Sequence, residues 1–78
     1  MIKKDIMLNG IADVKEFVNI MSKLPVSADI SCDRYIVDAK SIMGIFSLDL
    51  SRPVRLVIYD VNKDISDELK DLEKFTVD

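Results

Sequence analysis

Eight consecutive residues, Val26 to Asp33, alternate without a break between apolar and polar side chains. Val26, Ala28, Ile30 and Cys32 fall on one side, and Ser27, Asp29, Ser31 and Asp33 on the other. A helix would scatter these positions around its circumference. A strand separates them into a dry face and a wet face, so the run predicts a half-buried strand laid over a core.

The rest of the chain has to supply the material for that core, and its hydrophobic period switches several times. Ile2, Ile6 and Leu8 suit a first strand over residues 2–8, closed by a turn at Asn9-Gly10. Val14, Phe17, Val18, Met21 and Leu24 then recur at helical spacing. Asp13 is the expected N-cap of that helix, Glu16 its capping-box partner and Pro25 its stop. After Asp33-Arg34, the β-rich run Tyr35 to Ala39 predicts a hairpin partner for residues 26–33. Ser41 stands where an N-cap would stand, ahead of one to two helical turns over Ile42 to Leu48 in which Gly44 weakens any longer helix. Pro53 opens a fourth strand, with Val54, Leu56 and Ile58 alternating with Arg55, Val57 and Tyr59. A last helix, capped by Asn62 or Asp64, aligns Ile65, Leu69, Leu72 and Phe75 or Thr76. The order β-α-β-β-α-β-α in 78 residues implies one α+β domain over residues 1–78, an antiparallel sheet with helices on one face.

Composition narrows the class. A chain that is 49% hydrophobic with only two glycines and two prolines suits a packed globule rather than a linker or a disordered tail. The single cysteine, Cys32, cannot form an internal disulfide, and its place on the apolar side of the alternation reads as core. No apolar stretch is long enough to cross a bilayer, and Met-Ile-Lys-Lys-Asp lacks the apolar centre of a signal peptide, so a cytoplasmic location with no membrane contact is expected. Residues 60–78 carry seven acids against three lysines, which leaves the net charge of −3 concentrated at that end. Nucleic acid is therefore not the expected partner, because phosphate binding needs a concentrated basic face.

Residues 38 to 48, Asp-Ala-Lys-Ser-Ile-Met-Gly-Ile-Phe-Ser-Leu, point further. This run closely resembles the regulatory-serine segment of HPr, the phosphocarrier family of the bacterial sugar phosphotransferase system. The resemblance implies an open-faced β-sandwich, a four-stranded antiparallel sheet with three helices on one face, which is the element order already read from the pattern. It is specific at residue level from about Val37 to Leu48 and follows element order elsewhere.

The family's phosphate is carried on a histidine in a Gly-Leu-His-Ala-Arg-Pro loop leading into the first helix. The chain contains no histidine. The matching segment is Asn9-Gly10-Ile11-Ala12-Asp13-Val14-Lys15. Read without a gap, it puts Ala12 at the histidine position, Val14 at the arginine and Lys15 at the proline. Anchored on Phe17-Val18 instead, the loop is about two residues short. Neither alignment provides the ring nitrogen that reversible phosphotransfer needs. Asp13 could form an acyl phosphate only with a metal and further acids, and helix capping is its ordinary reading. No metal-ligand set, triad or phosphate loop is visible elsewhere, so neither an enzyme nor a cofactor is expected.

Two parts of the family's behaviour remain open on this resemblance. Ser41 matches a serine phosphorylated by a dedicated kinase, and a phosphate there would meet the positive end of the helix. The ordinary reading of Ser41 is a simple cap. Lys40, Ile42, Met43 and Phe46 match positions that dock protein partners, while Ile45 and Leu48 are assigned to the core. Arg52 and Arg55 could supply a basic rim. The readings that follow are a protein-binding module without phosphocarrier chemistry, a serine-switched regulator, or a structural domain whose apolar helix self-associates.

Overall fold

The alternation of residues 28–32 is realised in the computed structural model, which describes residues 1–59 and 64–77. The elements run β1 (Ile2–Ile6), α1 (Gly10–Met21), β2 (Ala28–Cys32), β3 (Tyr35–Asp38), α2 (Ile42–Phe46), β4 (Val54–Ile58) and α3 (Ser66–Leu72), with a 3₁₀ turn at Glu73–Phe75. The four strands form one sheet in the order β1-β4-β2-β3, every neighbouring pair antiparallel. This is the α+β architecture expected from the hydrophobic pattern.

The sheet has one dry face. Ala28, Ile30 and Cys32 of β2, Val54, Leu56 and Ile58 of β4, and Ile6 of β1 are buried against Val14, Phe17, Ile20 and Met21 of α1, Ile45 of α2 and Leu72 and Phe75 at the C-terminal end. Burial of this apolar surface is the main favourable term in folding. The other face is wet. Cross-strand rows there run Asp5–Arg55–Ser31–Ile36 and Lys3–Val57–Asp29–Asp38.

The two edges of the sheet differ. The C-terminal segment lies along β1, where Met7 N–H donates to Phe75 C=O (2.8 Å), Val77 N–H donates to Asp5 C=O (2.9 Å) and Ile6 bridges Thr76. Phe75 holds that segment down by meeting Phe17 edge to face, with centroids 6.1 Å apart at 82°. Among the described residues nothing lies along the outer edge of β3.

Several local expectations are corrected. α1 begins at Gly10, and Asn9, not Asp13, is its N-cap residue. Gly10 takes φ +80°, a conformation that glycine tolerates and that lets the chain enter the helix four residues early. Asp13 still caps, but by reaching back: its carboxylate accepts the Asn9 N–H at 2.9 Å. Glu16 is no capping-box partner, since it forms an ion pair with Lys74 and ties α1 to the C-terminal turn. Ile20 joins the buried stripe of α1, whereas Val18 is only partly buried. β1 stops at Ile6 and β2 starts at Ala28, although Leu8 beyond β1 is buried. α2 is a helix of five residues. Asp64 accepts the Ser66 N–H (3.0 Å) and Oγ–H (2.6 Å), which caps α3 from one residue before Ile65 and lowers the Asp64 pKa. Asn62, the other expected cap, lies outside the described residues.

Candidate functional site

α2 is short because Ser41 starts it and Ser47 closes it. Ser41 has extended backbone, and its Oγ accepts the Gly44 N–H at 3.1 Å. Its C=O accepts the Ile45 N–H at 3.0 Å. At the far end Ser47 Oγ–H donates back to Gly44 C=O at 2.5 Å. Gly44 lies close against β3. A Cβ placed there would sit 3.1 Å from Val37 Cβ and 3.2 Å from Ser41 Oγ. A side chain there would require Val37 and Ser41 to give by a few tenths of an ångström.

The five apolar residues of this run divide between core and solvent. Ile45 is fully buried and Leu48 nearly so, as the sequence pattern assigned them. Ile42 is half-buried and packs on the edge of the core. Met43 is 76% exposed and Phe46 40% exposed, so a flexible thioether and an aromatic ring face solvent from one short helix. Large apolar side chains clustered on a surface suit an adaptable contact.

Lys40 is positioned differently from the others. Its Nζ donates to the Leu24 C=O just beyond the C-terminus of α1 (2.8 Å), and its backbone N–H donates to Asp38 Oδ1 (2.8 Å). A cation at the negative end of α1 is electrostatically favoured, and here it ties α2 to α1.

The segment Asn9 to Ala12 is exposed, and Asp13 is half-buried behind it with its carboxylate committed to the Asn9 N–H. Ala12 presents only a methyl group. Ile11 is 61% exposed, an apolar residue on the first turn of α1 that periodicity did not single out. Lys15 and Lys23 are exposed, as expected for solvated helix residues.

The basic rim is not realised. Arg55 lies on the wet face of the sheet, away from the helices, and pairs with Asp5 at 3.3 Å. Arg52 is held by Asp33 (2.6 Å) and Asp49 (3.4 Å), and the hydrogen bond it donates to Asp33 raises its pKa further. Cys32 is buried with its Sγ accepting from Arg52 at 3.4 Å. Together Asp5, Ser31, Cys32, Asp33, Arg52, Pro53 and Arg55 line an open depression whose cations and acids neutralise one another. Among the described residues no three His, Cys, Asp or Glu side chains converge at metal-binding distance, and no helix is long and apolar enough to cross a membrane.

The same fold occurs in solved structures. HPr-C-His from Thermoanaerobacter tengcongensis superposes with a TM-score of 0.72 at 28% identity, over 94% of this chain and 85% of that one. The phosphocarrier protein HPr from Bacillus anthracis str. Ames gives 0.71 at 21% identity, over 97% of this chain and 96% of that one. No family model matches the sequence, and no curated protein matches it. The architecture is thus that of HPr phosphocarrier proteins, with the structural likeness extending over nearly the whole chain.

Proposed function

We propose that this chain is an HPr-like protein-binding module of the phosphotransferase type that docks through α2 and does not carry phosphate on histidine. The observation that carries the reading is the division of α2: Ile45 and Leu48 anchor it in the core while Met43 and Phe46 stand exposed. Ile42 borders the contact, and Lys40 fixes the helix in place through Leu24 instead of meeting the partner. The loop Asn9 to Asp13 contributes exposed surface but no nucleophile, because the chain has no histidine and the Asp13 carboxylate is occupied as a cap. The partner is a protein with an apolar groove, of the kind that receives HPr.

The test has two parts. Incubation with phosphoenolpyruvate and the first enzyme of the phosphotransferase system should leave the intact mass unchanged, and a stable phosphorylated species would overturn the loss of carrier function. Titration of that enzyme into isotopically labelled protein should shift the resonances of residues 42–47. Met43→Asp should weaken the interaction at least about tenfold, because a charge is forced into an apolar contact. Binding unchanged by Met43→Asp would remove α2 as the docking element.

A second reading is favoured by one detail. Ser41 Oγ sits at the helix start, where a phosphate would meet unpartnered N–H groups without unwinding the helix. Treatment with an HPr kinase and ATP should then add one phosphate that Ser41→Ala abolishes. An unmodified mass would exclude this switch.

A further inference from the structure

The outer edge of β3 carries an ordered set of side chains that the docking helix does not use. β3 is the last strand of the sheet, and it exposes Tyr35 at 67% and Ile36 at 68%. Natural proteins usually blunt such an edge, while the opposite edge here is covered by the C-terminal segment.

The register determines what the open edge can pair with. Ala39 N–H donates to Ala28 C=O at 3.0 Å, one step beyond the Asp29–Asp38 pair. Hydrogen-bonded and non-hydrogen-bonded pairs alternate along an antiparallel ladder. The odd-numbered residues of β3 therefore spend their backbone groups on β2, and Ile36 turns its N–H and C=O outward. A second antiparallel strand must bring outward-facing groups to that same point. Two copies related by a twofold axis satisfy this when Ile36 faces Ile36.

That register has a charge consequence. Arg34 lies in the turn that leads into β3, two residues before Ile36, so centring the axis on Ile36 brings that turn of each copy alongside Asp38 of the other. Within one chain Asp38 lies directly across from Asp29, a like-charge pair of the closer, non-hydrogen-bonded kind. Tyr59 O–H donates to Asp29 (2.9 Å) and Lys40 N–H to Asp38, but no cation is paired with Asp38 among the described residues. Arg34 likewise makes no ion pair there. The second copy supplies to each what the monomer lacks.

We propose that this protein self-associates through its β3 edges, forming a twofold dimer with a continuous eight-stranded sheet in which Ile36 packs on Ile36 and Arg34 pairs with Asp38 in both directions. The contact spans a four-residue strand, far less than the roughly 1,200–2,000 Å² of a stable complex, so the dimer is weak and concentration-dependent. The contact is made by β3 and the turn before it, and its failure would not bear on the docking reading.

Sedimentation velocity on the full chain over a wide concentration series tests it. The wild type should shift from the mass of one chain toward that of two. Arg34→Asp and Asp38→Arg should each weaken the dimer at least about tenfold by placing like charges opposite each other. An equimolar mixture of the two should associate at least as well as the wild type, because each then meets its complement. Ile36→Lys keeps the hydrogen bond from Lys40 N–H to Asp38 and should abolish association, whereas Met43→Asp should leave it unchanged. A wild type that stays a single chain at the highest concentration overturns the proposal. So does a mixture no tighter than its components, or a dimer that Met43→Asp dissolves and Ile36→Lys does not.

Discussion

Replacing Phe75 by alanine should reveal how far the whole molecule depends on its last turn. The ring is 4% exposed and meets the fully buried Phe17 edge to face. Truncating a buried phenylalanine costs about 3–5 kcal/mol, and an aromatic pair contributes roughly 0.5–1.5 kcal/mol beyond its buried area. At about 0.05–0.15 kcal/mol per residue, a chain of 78 residues has a stability of about 4–12 kcal/mol. The substitution therefore removes a large share of the total. It also slackens the segment that covers β1, where the Phe75 C=O accepts Met7 N–H and Val77 N–H reaches Asp5. Urea unfolding followed by far-ultraviolet circular dichroism should show the midpoint falling by about 2 M or more. Phe75→Leu, which keeps most of the apolar contact, should lose only roughly 1–2 kcal/mol. In a double-mutant cycle with Phe17→Leu the coupling should come to about 1 kcal/mol. A Phe75→Ala loss below about 1 kcal/mol, or no coupling to Phe17, would falsify the assignment of the C-terminal turn to the core.

Ser41→Ala removes the acceptor for Gly44 N–H and should cost about 1 kcal/mol in urea unfolding, with Ser41→Asp recovering most of it; equal stability of all three forms would mean that Oγ does not cap α2. Tyr59 donates its hydroxyl to Asp29, and that hydrogen bond, with burial and the neighbouring negative charge, raises its pKa above the usual value near 10. Folding thus favours the neutral phenol, so this contribution is complete below the unfolded pKa and is lost as pH rises through the higher folded value. In a Tyr35→Phe background, phenolate absorbance should appear at lower pH once Asp29→Asn is introduced, and an unmoved titration would refute the pairing.

Much of this fold could be read from the periodicity of residues. Strand β2 shows its alternation because Ala28, Ile30 and Cys32 all meet the core and Asp29 and Ser31 do not. Ser41 was legible because a hydroxyl before an apolar run has one common use. The start of α1 was not, since Asn9-Gly10 is an equally good turn signal and the positive φ of Gly10 suits either outcome. Arg55 is more instructive. The alternation that buries Val54 and Leu56 also turns Arg55 to the wet face, so proximity in sequence to α2 was the wrong criterion. The exposure of Tyr35 and Ile36 had no local signal at all. Their composition suits a central strand, and only the strand order, a non-local property, places them at an edge.

The core contacts constrain the loop before α1 and the helix α2 very differently. Asn9 to Ala12 are exposed, and among the described residues the one side-chain bond in the loop is local, from Asn9 N–H to Asp13. A side chain at position 12 therefore contributes almost nothing to the core, and its chemistry can change without an energetic consequence for the sheet or helices. α2 lacks that independence. Ile45 and Leu48 are core residues, Gly44 is fitted to Val37, and Lys40 bonds to Leu24, so the orientation that exposes Met43 and Phe46 is enforced by the same contacts that hold the fold. Any sequence that keeps this core keeps α2 in this orientation, whereas the side chain at position 12 is free of that constraint.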